Sequence, residues 1–118
     1  SYALINGIPV ADVINADGTA ITPTLESTAA AADSIEIPDD LRFNILDVGG
    51  EGYPIAGATW LLAWTCGYDE ATEAALKDFA TWGLTEGDAL AGELLYSPLP
   101  GSLEARALEK VDLINSEG

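Results

Sequence analysis

The side chains of this chain that could do chemistry are mostly carboxylates. There are 20 aspartates and glutamates, four basic residues and no histidine. Histidine is the usual group for proton transfer near neutral pH, so neither a Ser-His nor a Cys-His pair can form within the chain. Two carboxylates could act as acid and base, but nothing in the residue order singles out one pair. The sequence therefore predicts no catalytic residue and a protein that is not an enzyme.

Metal binding is not indicated either. Zinc sites require several histidine or cysteine ligands, and Cys66 is the single cysteine. A calcium site from Asp17, Asp39 and Asp40 is conceivable, but these residues lack the regular alternation of an EF-hand loop. We expect surface carboxylates here, with no metal ligand and no cofactor.

Cys66 leaves two interpretations open. In a secreted protein a single cysteine suggests a disulfide to a cysteine outside these residues. The apolar neighbours Trp60 to Trp64 suit a buried free thiol equally well.

A cluster of glycines is the next candidate. Gly49, Gly50 and Gly52 fall within four residues, and Tyr53 and Pro54 follow. The cluster has neither the lysine and strand-to-helix setting of a P-loop nor the glycine spacing of a dinucleotide site. It predicts a loop or hinge, with these five residues as the candidate hinge positions.

The charge restricts the partners. A net charge of −16 would repel a nucleic-acid backbone or an anionic membrane surface. The longest apolar run, Ile55 to Trp64, is interrupted by Gly57 and Thr59 and is too short for a membrane span. The first residues lack a charged-then-apolar leader, so we expect any export signal or lipid anchor to precede them.

The first half of the chain predicts a hairpin and a helix. The β-branched segment from Ile8 to Ile14 precedes a turn that contains Gly18, and the hairpin should end near Ile21. Next, a hydroxyl residue at the N-cap and Pro23 at the first helical position favour a helix of about ten residues to Ala32. A weak strand is expected over residues 41–48.

The second half predicts a central strand and three helices. Residues 53–65 are apolar and rich in aromatic residues, which is typical of a strand buried on both faces. Asp69 can cap a helix whose apolar stripe would pack on the sheet. A shorter helix and, after a proline-rich break, a helix capped by Ser102 should follow. The apolar stripe of the first helix comprises Ala75, Leu76, Phe79, Trp82 and Gly83, and the shorter helix holds Leu90, Leu94 and Leu95. The last helix is expected to bury Leu103, Ala107, Leu108, Val111 and Ile114. The tryptophans Trp60, Trp64 and Trp82 are expected in the core.

Six short motifs in order resemble those of the phosphate-binding proteins of phosphate ABC transporters. They are Tyr2-Ala3-Leu4 with Asn6-Gly7, Ala16-Asp17-Gly18, Thr22-Pro23-Thr24-Leu25-Glu26, Tyr53-Pro54-Ile55, Phe79-Ala80-Thr81-Trp82 with Thr85-Glu86-Gly87, and Leu95-Tyr96-Ser97-Pro98-Leu99-Pro100. Each motif is weak alone, but their order along nearly the whole chain makes the resemblance specific.

The resemblance implies an α/β fold: the C-terminal portion of a two-lobed periplasmic-binding-protein fold of type II, with a mixed sheet flanked by helices. Residues 1–50 would end the second lobe, residues 51–58 would cross between lobes, and residues 59–118 would complete the first lobe. The apolar strand faces would then need neighbours from an N-terminal companion segment or chain.

The function that the resemblance implies is capture of inorganic phosphate and its delivery to an ABC permease, in the periplasm, outside the cell or on a cell-surface lipoprotein. The phosphate-binding motifs of the family lie upstream, so no phosphate-binding residue is expected here. Arg42 and Arg106 are the only isolated candidates for an anion. The alternative is a stand-alone structural or self-assembling interaction module built on the same fold, without a ligand.

Overall fold

The computed structural model describes residues 2–117, which form two compact units. Unit 1 comprises the residues up to Ala58 together with Leu90–Pro100, and unit 2 comprises Thr59–Ala89 and the residues from Gly101 onward. None of the described helices is long and apolar enough to cross a membrane. The elements are α1 (Tyr2–Ile5), β1 (Val13–Ile14), β2 (Ala20–Ile21), α2 (Leu25–Asp33), α3 (Glu70–Leu84), α4 (Asp88–Glu93) and α5 (Gly101–Val111).

The predicted hairpin is present, although each strand is only two residues long. Val13 pairs with Ile21 and Ile14 with Ala20 in an antiparallel register. The connecting turn is closed by the N–H of Asn15, which donates to the carbonyl of Thr19 at 2.9 Å. Gly18 takes a φ of 81°, which costs a glycine little, so its place in this turn follows from its missing side chain.

The predicted helix after Pro23 is confirmed as α2, but it begins two residues later than expected. Thr24 is the N-cap, and its hydroxyl accepts from the N–H of Ser27 at 3.1 Å. The Ser27 hydroxyl in turn accepts from the N–H of Thr24 at 3.0 Å. This reciprocal capping box satisfies two orphan donors at once, so the helix starts after Thr24, and Pro23 precedes the cap.

The core of unit 1 forms where small residues of α2 meet the segment around the glycines. Its buried members are Ala31, Ala32, Ile45, Val48 and Ala56. A Cβ on Gly52 would lie 2.9 Å from the Cα of Ala31 and 2.8 Å from a methyl group of Val48. Glycine and alanine thus let two stretches of backbone approach closely, which a larger residue at either position would prevent.

The weak strand expected over residues 41–48 reduces to one isolated bridge. Leu46 pairs with Ile55, and the N–H of Asp47 donates to the carbonyl of Pro54 at 3.0 Å. Leu41 and Asp47 have φ values of 56° and 57°. Both lie in the left-handed region, which interrupts the extended backbone that a strand requires.

The central strand predicted over residues 53–65 is wrong for this chain. Apart from the bridge at Ile55, the segment joins neither described strand, since β1 and β2 pair only with each other. Leu62 is 91% exposed and Trp64 80%, and Trp60 is also exposed, so their expected core role is wrong too. A strand buried on both faces needs a paired strand at each edge, and within residues 2–117 the segment is bridged at Ile55 alone.

Unit 2 is built on the packing of α3 against α5. Asp69 caps α3 as predicted: its Oδ1 accepts from the N–H groups of Ala71 and Thr72 at 3.1 and 3.0 Å. Leu103 and Val111 of α5 and the following Ile114 are buried, as the expected face requires. Ala107 and Leu108 of the same face are half-buried.

The apolar stripe expected on α3 is not the face of the helix that the structure buries. Phe79 is exposed, Trp82 is 45% exposed, and their rings stack with centroids 6.5 Å apart. The buried residue of α3 is Ala80. The prediction that the stripe packs on a sheet is therefore wrong within this structure, because α3 rests on α5 instead.

The segments around the proline-rich break partly follow expectation. The shorter helix is α4, but it ends at Glu93, so the prediction that it holds Leu94 and Leu95 is wrong. Leu90 and Leu94 are exposed. Leu95 stops the helical path with a φ of 61°. The hydroxyl of Ser97 donates to the carbonyl of Leu25 at 3.2 Å, which ties the break to α2 within unit 1. α5 begins at Gly101, one residue before the predicted cap.

We expect Gly52→Ala to destabilise unit 1, because the added methyl group overlaps Val48 and Ala31. Overpacking of this kind costs about 1–3 kcal/mol of the free energy of unfolding. Gly57→Ala is the matched control, since nothing lies within 4 Å of its Cβ position. Urea unfolding followed by circular dichroism measures both, and equal midpoints for the two variants would contradict the packing described.

We expect the stability of unit 2 to fall in acid through Asp69. Hydrogen bonds from the Thr72 hydroxyl and from the Thr72 and Ala71 N–H groups lower the pKa of Asp69 below its ordinary 3.8. Its contribution is therefore present above pH 3.8 and is lost as the pH falls through the lowered value.

The variant Asp69→Asn keeps a capping oxygen but cannot titrate. Thermal melts at several pH values should show wild type more stable than Asp69→Asn at pH 6, with the gap closing below pH 3.8. Asp78→Asn, in the interior of the same helix, controls for removal of one charge. A gap that stays constant with pH would refute the assigned role of Asp69.

Candidate functional site

The five candidate hinge residues lie in one loop of unit 1, residues 49–54, called here the glycine loop. The loop turns back on itself, with the N–H of Gly52 donating to the carbonyl of Gly49 at 3.1 Å. Gly50 takes a φ of 62°, which favours glycine.

Asn15 holds the glycine loop from the hairpin side. Its side chain is only 5% exposed and uses both ends of the amide. Nδ2 donates to the carbonyl of Gly50 at 2.7 Å, while Oδ1 accepts from the N–H groups of Asp17 and Thr19 at 3.1 and 2.9 Å. One buried amide therefore shapes the hairpin turn and fixes a loop 35 residues away in sequence.

Asp17 makes a second connection to the same loop. Its Oδ2 accepts from the N–H of Gly50 at 2.6 Å. A Cβ on Gly49 would lie 2.8 Å from the Asp17 Cγ, so this approach requires glycine at position 49. The N–H of Ala16 also donates to the carbonyl of Val48 at 3.1 Å. The hairpin turn and the residues before the loop are thus joined through main chain and side chains.

The far end of the glycine loop is held by α2. The N–H of Tyr53 donates to the carbonyl of Ser27 at 2.9 Å, and the Pro54 carbonyl accepts from Asp47. The loop is therefore anchored at both ends within unit 1. The role of its residues as a hinge stays a prediction.

The glycine loop is poorly suited to hold an anion. The N–H groups of Gly50, Gly52 and Tyr53, which could otherwise face a phosphate, donate to Asp17, Gly49 and Ser27. Asp17 and Glu51 add negative charge there. A phosphate would have to displace protein acceptors and approach carboxylates, which opposes binding at this loop.

Three of the four basic residues already have interaction partners. Arg42 pairs with Asp40 at 2.8 Å on the exposed surface. The backbone N–H and guanidinium of Arg42 lower the pKa of Asp40. Lys77 pairs with Glu73 at 2.7 Å, and the hydrogen bonds of Lys77 and Ser116 lower the pKa of Glu73. Arg106 has interaction partners of its own.

The conceivable calcium site does not form around its proposed ligands. Asp17 accepts from Gly50 and Asp40 pairs with Arg42. Among residues 2–117 no group of three or more acidic, cysteine or histidine side chains is placed to hold a metal ion.

Cys66 is exposed and free, so the interpretation as a buried thiol is wrong. A disulfide to a cysteine outside these residues stays a prediction.

Sequence reasoning missed the contacts of Asn15 and Asp17. Both residues belong to the predicted turn cluster, where asparagine and aspartate are expected for their local hydrogen bonds alone. The signal that could have pointed further is the second turn-forming cluster at residues 49–52. Nothing in the residue order indicates that the two clusters meet.

Comparisons with known proteins find that the chain is similar to part of several phosphate-binding proteins. No family model and no solved structure matches it. It is 33% identical over 106 residues to the phosphate-binding protein PstS of Xylella fastidiosa strain 9a5c, a match that covers 87% of this chain and 29% of that protein. A PstS protein of Methanocaldococcus jannaschii is 36% identical over 100 residues, covering 74% of this chain and 26% of the relative.

The chain is therefore similar over most of its length to part of the PstS phosphate-binding proteins. This confirms the resemblance stated from the motifs. The chain spans less than a third of the length of the Xylella and Methanocaldococcus relatives. Its helices and small antiparallel sheet are those of a mixed α/β structure.

We expect Asn15→Ala to loosen the glycine loop. The substitution removes the hydrogen bonds that the buried Asn15 amide makes to the carbonyl of Gly50 and to the turn N–H groups, which costs about 1–3 kcal/mol of the free energy of unfolding. Asn44→Ala is the control, because Asn44 is exposed and caps only the N–H of Leu46.

Urea unfolding and hydrogen exchange of peptides covering residues 48–53 measure the effect. Faster exchange in Asn15→Ala alone is the expected result. Equal exchange in both variants would show that Asn15 does not hold the loop.

Proposed function

We propose that this chain is the carboxy-terminal part of a phosphate-binding protein that captures inorganic phosphate and delivers it to an ABC permease. The observation that carries the proposal is the similarity of 87% of the chain to a protein named for phosphate binding. That name supports a role in binding rather than in catalysis. The protein would work in the periplasm or outside the cell, with a lipid anchor, if it has one, preceding these residues.

In this proposal residues 1–50 end the second lobe, residues 51–58 cross between lobes and residues 59–118 complete the first lobe. The division between the two compact units after Ala58 supports the position of the crossing. The proposed boundaries assign residues 59–118 as a whole to the first lobe. In the structure, however, Leu90–Pro100 belongs to unit 1, together with the residues up to Ala58. The anchored glycine loop would form the unit 1 side of the crossing.

The phosphate-binding groups would come from the N-terminal companion segment or chain. A desolvated phosphate needs converging N–H groups, hydroxyls or an arginine. In this chain three N–H groups of the glycine loop, those of Gly50, Gly52 and Tyr53, donate to protein acceptors, and Arg42 pairs with Asp40. The net charge of −16 also repels an anion. The role of these 118 residues would then be to complete the lobes that present the site.

A second candidate is a stand-alone structural or self-assembling module on the same fold, without a ligand. The exposed apolar residues Leu62 and Trp64 favour it, since a large exposed apolar surface marks an interaction site. The same surface fits the first candidate if a longer chain covers it.

A chimera tests the first candidate. The matched segment of Xylella fastidiosa strain 9a5c PstS is replaced by this chain, and phosphate binding is measured by titration calorimetry with sulfate as the competing anion. We expect the chimera to bind phosphate. We also expect Arg42→Ala to change its affinity by less than about twofold, whereas loss of a direct charged contact costs tenfold or more, on the order of 1.5–3 kcal/mol.

The unmodified Xylella protein is the positive control. A folded chimera that does not bind phosphate would refute the proposed function. A large loss of affinity in Arg42→Ala would contradict the absence of phosphate ligands from this chain.

A further inference from the structure

We propose that Asn6-Gly7 is a site of spontaneous covalent modification, where hydrolysis converts the asparagine into aspartate or isoaspartate and opens the end of α1. The reaction needs only water and the atoms of this chain. The site does not depend on the proposed function.

The chemistry joins the Asn6 side chain to the main-chain nitrogen that follows it. Asparagine is one of the residues that are chemically labile in proteins. The Gly7 nitrogen gives its proton to solvent and bonds to the Asn6 Cγ, while the side-chain nitrogen takes a proton from solvent and leaves as ammonia. The product is a cyclic succinimide. Water then adds to either ring carbonyl and breaks its bond to nitrogen, which leaves aspartate or isoaspartate, with no change of oxidation state.

Gly7 provides an unhindered attacking nitrogen. Glycine has no side chain to crowd the reaction, and it takes backbone angles that other residues avoid. Gly7 has a φ of 64°, and no atom lies within 4 Å of the position that a Cβ would occupy. Its N–H donates to the carbonyl of Leu4 at 3.2 Å, the long end of the hydrogen-bond range, in an exposed turn. The attacking nitrogen is therefore accessible.

The Asn6 amide is restrained by a hydrogen bond that water can replace. Nδ2 donates to the carbonyl of Tyr2 at 2.8 Å. Both residues are exposed, so the exchange of this bond for bonds to water has a small net cost. The amide can then turn from Tyr2 and bring Cγ to the Gly7 nitrogen.

The other three asparagines lack this combination of exposure and a following glycine. Asn15 is only 5% exposed, and its amide makes three hydrogen bonds. Asn44 is exposed, but the branched side chain of Ile45 follows it. Asn115 is half-buried and precedes Ser116. We therefore expect modification to be selective for Asn6.

Either product would weaken the end of α1. A carboxylate cannot donate to the Tyr2 carbonyl as Nδ2 does, and its oxygens repel that carbonyl. The new negative charge also lies at the C-terminal end of a helix, where the helix dipole disfavours it. Isoaspartate lengthens the main chain by one methylene before Ile8, whose N–H donates to the carbonyl of Ala3 at 2.8 Å. We expect this last hydrogen bond to be lost.

The rest of unit 1 should tolerate the change. Among the described residues, the buried core cluster of unit 1 contains none of residues 2–8. Modification would therefore add negative charge and open α1 while the chain remains folded.

Peptide mapping of the 118-residue chain tests the site. The chain is incubated at neutral pH and cut at intervals by a protease that cleaves before aspartate, which leaves each asparagine on a separate peptide. Mass spectrometry should show Asn6 converting at least about tenfold faster than Asn44, equivalent to about 1.4 kcal/mol in the barrier. Equal rates at Asn6 and Asn44, or faster conversion at Asn115, would overturn the proposal.

The same measurement in urea separates the effect of structure from that of sequence. Asn6 should convert in the folded chain within about threefold of its rate in the unfolded chain, because an exposed chain end has little protection. Asn15 should be slower in the folded chain, since its amide is buried. Folding that slows Asn6 by more than about tenfold, or about 1.4 kcal/mol in the barrier, would overturn the proposal.

Two substitutions block the reaction in different ways. Gly7→Ala should slow conversion of Asn6 at least about tenfold, because a methyl group crowds the attacking nitrogen. Gly57→Ala is the matched control, since no asparagine precedes it. Asn6→Gln retains an amide but requires a larger ring, so the peptide should remain unmodified. Unchanged conversion in Gly7→Ala would contradict attack by the Gly7 nitrogen.

Asn6→Asp reproduces one product and tests its effect on α1. Hydrogen exchange followed by nuclear magnetic resonance should show that the Ile8 amide loses its protection in this variant. Asn44→Asp is the control for one added charge at an exposed asparagine. Equal Ile8 exchange in wild type, Asn6→Asp and Asn44→Asp would refute the proposed opening of α1.

Discussion

The fold of unit 1 depends on one buried amide, that of Asn15. A buried amide is costly unless its oxygen and nitrogen both find partners, and here the partners lie in two different segments. Oδ1 closes the hairpin turn through Thr19, and Nδ2 reaches Gly50. The side chain that closes the turn thus also contacts the glycine loop. Local structure and long-range contact are therefore established by the same side chain.

The elements that sequence predicts correctly are those whose signals are local. Asp69 identifies the start of α3 because its carboxylate caps N–H groups two and three residues ahead. The turn with Gly18 identifies the hairpin for the same reason. α5 follows from the spacing of Leu103, Val111 and Ile114. Even the error at α2 is local, since the Ser27 hydroxyl moves the cap from the expected position to Thr24.

The strand predicted over residues 53–65 fails for a different reason. An apolar run predicts that its side chains are buried, but it does not identify the residues that bury them. Leu62 is exposed because no side chain among residues 2–117 covers it. Of the candidate site, the glycine loop could be located from composition. Its anchoring by Asn15 could not, because the partners are distant in sequence and each cluster is sufficient as a turn.

The positions of the tryptophans have a spectroscopic consequence. Trp60, Trp64 and Trp82 are the three tryptophans of the chain, and all belong to unit 2. Tryptophan fluorescence therefore reports on unit 2. Unit 1 contains Tyr2, Tyr53 and Tyr96 and does not fluoresce at excitation wavelengths that only indole absorbs. Circular dichroism detects α2 as well as α3 and α5. The separation between an emission transition and a dichroism transition thus measures whether the two units unfold as one cooperative body or independently.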